Sequence, residues 1–336
     1  MDSGNSLQVI WFLLIGVFFA GYSVLDGFDL GIGTLFPFLA KKDGEKASLA
    51  RAIGPVWDGN EVWLLTGGGA LFAAFPAAYA TVFSGFYLAL MLVLFALIIR
   101  AVSLEFRAHD FERKRFWEAA FFAGSVLPSL LFGVALGNVI QGVPLDAHGE
   151  FAGDFFTLLR PFPLVLGVYG LVAILLQGAT YASMKTEGEL QAKARRLAVV
   201  FCPIHGMLLV LSGVAAALAV PGVLRNIPAW IAAAVVVAAL AVMRAALGRD
   251  RDRTAFLMSS LAFLGLWGIC GADLFPNLVR ASNDPAFSLT IRNASSSPMT
   301  LKVMLIIALV GMPFVVGYTI WVYSVFKDKP GTGGGY

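Results

Sequence analysis

Apolar positions in this chain come in long unbroken runs, and polar positions collect in short gaps between them. A run of about 20 apolar residues is the length an α-helix needs to cross the hydrocarbon core of a bilayer. Applied along the chain, that length predicts spans over 7–38, 54–76, 78–104, 117–141, 161–184, 197–220, 227–246, 254–276 and 300–326. A membrane β-barrel would instead alternate apolar and polar positions in segments of about 10 residues. The expected fold class is all-α integral membrane, with about nine transmembrane helices. The first apolar run has no basic residue before it and is too long for a signal peptide, so it reads as a retained helix.

Composition agrees, with 59% of residues hydrophobic and 13% charged, against roughly 25% charged in a soluble protein. The placement of charge says more than its net value of +3. Basic residues fill every second gap: Lys41, Lys42, Lys46 and Arg51; Arg107, Arg113, Lys114 and Arg115; Lys185, Lys193, Arg195 and Arg196; Arg249, Arg251 and Arg253; then Lys327 and Lys329. The intervening gaps are poor in them, and one carries Asp146, Glu150 and Asp154. By the positive-inside rule the N-terminus is expected outside and the C-terminus in the cytoplasm.

Weak internal similarity divides the chain. Leu25-Asp26-Gly27-Phe28-Asp29 parallels Leu176-Gln177-Gly178-Ala179-Thr180, and Leu65-Thr66-Gly67 parallels Leu211-Ser212-Gly213. This suggests two four-helix bundles, 7–141 and 161–276, with a peripheral helix at 300–326 and a flexible cytoplasmic tail at 327–336. Chance similarity between apolar helices is the competing account.

Ionisable side chains inside a membrane span are costly and face a bundle interior or cavity. Asp26 and Asp29 are three residues apart in the first span, and Asp58 and Glu61 are three apart in the second. That spacing puts each pair on one side of its helix. Arg100 lies near the end of the third span. With alternating helix directions, all five groups fall at a similar depth toward the cytoplasm. They can serve as a proton path, since a relay needs groups that hold and release protons within reach of each other. They can also do no more than neutralise one another and fix packing. Trp57 and Trp63 bracket the second pair; interfacial anchoring, core packing and the lining of an apolar cavity are all open to them.

Other chemistry is sparse. Cys202 and Cys270 lie in apolar runs and form neither a disulfide framework nor a metal site. Of three histidines, only His205 falls in a span. A chain holding several haems would need more axial ligands at membrane depth.

Three stretches together resemble one family. Asp26-Gly27-Phe28-Asp29-Leu30-Gly31-Ile32-Gly33 and Trp57-Asp58-Gly59-Asn60-Glu61-Val62-Trp63-Leu64, continued by Gly68 to Pro76, are similar to signatures of subunit II of cytochrome bd-type quinol oxidases. Gln177-Gly178-Ala179-Thr180-Tyr181 and Asn293-Ala294-Ser295-Ser296-Ser297 also resemble it. The resemblance implies a bacterial cytoplasmic membrane enzyme subunit that ligates no haem or other metal. Its partner, subunit I, would carry haem b and haem d and reduce oxygen to water with electrons from quinol. A small accessory single-helix subunit and a structurally bound quinone are compatible with it; no nucleic acid is implied. Carried onto this chain, it makes Asp58 the first proton-path candidate, followed by Glu61, Asp29 and Asp26. Arg100 becomes their charge partner, and Trp57 and Trp63 line a quinone or gas channel. A proton-coupled secondary transporter is the alternative, since membrane carboxylates and weak repeats suit transporters too.

Overall fold

The computed structural model describes residues 3–326, so the expected tail at 327–336 lies outside the described residues. The chain folds into α1 (Ser3–Leu39), α2 (Asp43–Ile53), α3 (Trp57–Ala74), α4 (Pro76–Gly85), α5 (Tyr87–His109), α6 (Lys114–Gln141), α7 (Pro161–Lys185), α8 (Gly188–Ala219), α9 (Ile227–Leu247), α10 (Asp252–Leu274) and α11 (Pro298–Val325). A short antiparallel pair, β1 (Asn277–Val279) and β2 (Leu289–Thr290), precedes α11.

Eight of these helices, α1 and α5 to α11, are long and apolar enough to cross a membrane. The expected span 54–76 forms as α3, whose first two turns carry Asp58, Asn60 and Glu61 and lower its mean hydropathy. The expected span 78–104 is two helices, α4 and α5, separated at Phe86. Pro76 starts α4 because it donates no N–H and disfavours helical backbone at Phe75, whose ψ is 65°. The gap after α1, read as a loop, holds the amphipathic α2, which buries Leu49, Ala52 and Ile53.

Helix α7 is central, packing on α1, α6, α8 and α10, with 61% of its membrane window buried. At the crossing of α1 and α7, a Cβ on Gly178 would fall 2.4 Å from the carbonyl carbon of Gly31. Only two glycines let the backbones meet there. The contact is sealed by Phe28 stacked on Tyr181 at 3.8 Å between ring centroids, and by Gln177, whose Nε2 donates to Val24 O and Ser260 Oγ, both at 3.0 Å. Helix α11 is peripheral, touching α1 and α3, and none of its membrane window is buried. The Asn293–Ser297 stretch anchors it. Ser296 donates to Ala74 O and Ala73 O at the end of α3, and Ser297 Oγ accepts from Thr300 N as an N-cap.

The gaps after α1, α5, α7 and α9 meet at one end of the bundle. There Lys46 pairs with Glu118 at 2.6 Å, Lys193 with Glu45 at 2.7 Å, and Arg195 with Asp252 at 2.7 Å. At the other end the 142–160 loop joins the segment around β1, with Leu145 N donating to Asn283 Oδ1.

Candidate functional site

Three helices bring ionisable groups together inside the bundle. Asp26 and Asp29 of α1 are 0% and 1% exposed, and Arg100 of α5 is 3% exposed. Arg100 Nη2 lies 2.7 Å from Asp26 Oδ1 and 4.0 Å from Glu61 Oε1. Close approach of α6 supports this placement. A Cβ on Gly124 would sit 2.9 Å from Arg100 N, so a glycine lets α6 press against α5 at the arginine. Glu61 retains 22% side-chain exposure and connects the buried pair to the outside of α3.

Asp29 is held differently. Asn60 Nδ2 donates to Asp29 Oδ2 at 2.7 Å and to Leu25 O at 3.4 Å, while Asn60 Oδ1 accepts from Tyr323 Oη at 2.9 Å. Asn60, which the sequence reading did not single out, is 2% exposed and stands at the centre of the α1–α3–α11 contact. Asp29 Oδ1 and Arg100 Nη1 have no hydrogen-bond partner among the described residues. A narrow crevice reaches them, lined by Ile53, Trp57, Ala101, Leu104 and Phe121.

The structure thus gathers Asp26, Asp29, Glu61 and Arg100, and it leaves Asp58 out. Asp58 is exposed one turn before Glu61, on the outer face of α3 that also presents Val62, Leu65 and Phe72. Trp57 borders the crevice. Trp63 packs inward on α1, its ring against the Cα position of Gly21 and edge-on to Phe18.

The cluster of Asp26, Asp29, Glu61 and Arg100 itself offers no imidazole or thiolate to a haem iron. His205 is 1% exposed, and its Nε2 faces the Tyr169 hydroxyl at 3.1 Å. Among the described residues no three His, Cys, Asp or Glu side chains gather to hold a metal.

The sequence pattern of the family described as cytochrome bd terminal oxidase subunit II matches residues 7–326. Cytochrome bd-I ubiquinol oxidase subunit 2 of Escherichia coli K12 is 38% identical, the match covering 94% of this chain and 93% of that protein. Cytochrome bd ubiquinol oxidase subunit 2 of Bacillus subtilis 168 is 34% identical over 96% of this chain and 97% of its own. The fold is that of a chain in the bd oxidase structure from Geobacillus thermodenitrificans, with a TM-score of 0.80, 17% identity, and coverage of 96% of this chain and 98% of that one. Fold, motifs and full-length relatives agree: this chain belongs to the cytochrome bd terminal oxidase subunit II family and is a multi-pass membrane subunit of an oxidoreductase complex.

Proposed function

We propose that the chain is the haem-free subunit of a quinol:oxygen oxidoreductase, that it supports a haem-bearing subunit I, and that it conducts protons from the cytoplasm toward the site of oxygen reduction. The observation carrying the proton path is the convergence of Asp26, Asp29, Glu61 and Arg100 from three helices, with Glu61 at the edge of the cluster. Carboxylates with partly unsatisfied oxygens at membrane depth are the groups a relay needs. In this reading protons come in by the crevice beside Trp57, pass Asp29 and Asp26, and leave by Glu61 to Asp58 on the outer face of α3. That face, which presents Val62, Leu65 and Phe72 beside its carboxylates, is where subunit I would dock. The alternating basic gaps support a cytoplasmic location for the ion-paired end. Trp57 is assigned to the lining of the crevice. Family membership favours an oxidase over a proton-coupled transporter.

The test is to purify the complex through a tag on this chain and record its dithionite-reduced spectrum. Bands of b- and d-type haem with a second large subunit are expected. Asp29→Asn in that complex should then cut oxygen reduction roughly tenfold or more. A folded, haem-free, single-chain preparation would overturn the assignment, and undiminished turnover in Asp29→Asn would overturn the path.

A further inference from the structure

The peripheral helix α11 contributes one hydroxyl to the buried cluster, and it does so through an amide. An asparagine side chain has an acceptor end and a donor end, and a half-turn exchanges them. At Asn60 the two ends are selected from opposite sides. Tyr323 Oη donates to Oδ1 at 2.9 Å, and Leu25 O accepts from Nδ2 at 3.4 Å. The second contact is long, so the phenol is the stronger clamp. With both in place the amide offers its N–H to Asp29 Oδ2 at 2.7 Å.

We propose that Tyr323 is a positioning residue for Asp29, fixing through Asn60 which end of the amide meets the carboxyl and so setting when that carboxyl holds its proton. This rests on the proton-path reading. A donor N–H facing a carboxyl favours its ionised form, whereas an acceptor carbonyl favours its protonated form. Without the phenol, Asn60 Oδ1 is left buried and unpaired. The amide can then turn and accept from protonated Asp29, so the carboxyl keeps its proton to higher pH. The other titratable or charged groups facing Asp29 are Asp26 on its own helix, Glu61 from α3, Arg100 from α5 and Tyr181 from α7. Tyr181 is already committed, donating to Ala52 O at 3.1 Å. None of these groups reaches Asn60 Oδ1 in place of Tyr323.

Tyr323 stands on a helix with no buried position in its membrane window, and Phe preserves its ring, so the variant should fold. The experiment compares parent, Tyr323→Phe and Asp29→Asn as assembled, haem-matched complexes. Oxygen reduction is followed across pH with a short-chain ubiquinol as donor. The expected result for Tyr323→Phe is an unchanged KM for the quinol and a pH profile displaced upward by about one unit, the size of one net hydrogen bond. A Tyr323→Phe profile superimposable on the parent's, with Asp29→Asn impaired, would overturn this inference and leave the proton path standing. Full turnover in Asp29→Asn would overturn the path and this inference together.

Discussion

Among the described residues Arg100 is the sole cation paired with the central carboxylates, and its removal and theirs are not equivalent. Each buried ion has lost hydration worth several kcal/mol, recovered only from its partners. Arg100→Met would strand Asp26 at 0% exposure and Asp29 at 1% with no opposite charge nearby. The expected cost is about 3–5 kcal/mol, the usual result of orphaning a buried charge, read as a lower unfolding temperature of the purified complex. Asp26→Asn should be milder, because Glu61 at 4.0 Å and Asp29 still face the guanidinium. The double variant should recover part of the loss; full additivity would mean that the pair does not interact. That these groups share a depth was legible from span direction alone. That Asp58 faces outward was not inferred, although the signal existed. Small residues Gly67, Ala70 and Ala74 form the inward face of α3. Stepping that face back by three and four residues arrives at Asn60, leaving Asp58 on the far side. Polarity drew attention to the charged residues of the motif, while the neutral amide between them was the one turned inward.

The helices themselves were legible wherever apolar length was the whole signal, and less so where a second pattern overlay it. Helix α2 escaped because its buried residues, Leu49, Ala52 and Ile53, fill less than two turns between charges. Their i, i+3, i+4 spacing is nonetheless amphipathic. The division of the third expected span into α4 and α5 had only weak signs, Pro76 at the start of α4 and Ser84-Gly85 just before Phe86. The Gln177–Tyr181 motif was read as a resemblance, and its physical content is contact. Gly178 lets α7 touch α1, Gln177 satisfies a carbonyl of α1, and Tyr181 stacks on Phe28. A test follows at this scale. Gly178→Leu would drive its Cβ into the backbone of Gly31, which cannot move aside as a side chain can. The expected destabilisation is at least about 1–3 kcal/mol, the usual cost of overpacking, with lower yield of assembled complex. Gly213→Leu is the control, since a Cβ there meets nothing within 4 Å.

At the scale of the molecule, the alternating basic gaps predicted a shared end, and the ion pairs at that end show what the charges do there. Glu45 joins α2 to α8. Its Oε1 accepts from Lys193 Nζ at 2.7 Å on α8, and its Oε2 accepts from Lys41 N at 2.8 Å and Lys42 N at 3.2 Å, capping α2. The Lys193 ammonium first, and then these backbone N–H groups, pull the Glu45 carboxyl down from 4.5 to about 2. A carboxyl lowered on folding stabilises the fold above its unfolded value and stops doing so as pH falls through its folded value. The tether is therefore whole at neutral pH, weakens below about 4.5, and is gone below about 2. Glu45→Gln should mimic its loss at neutral pH. The cost is about 1 kcal/mol, since the Lys193 side chain is 38% exposed and solvent screens the pair. Hydrogen exchange of the α2 amides reads this directly when variant and parent are compared at each pH, which cancels the intrinsic pH dependence of exchange. Faster exchange in the variant at neutral pH, converging on the parent as the medium is acidified through that window, is the expected outcome. A difference that survives full protonation would assign the effect to side-chain shape rather than to charge. An acid-sensitive charge tether between α2 and α8 would then be ruled out.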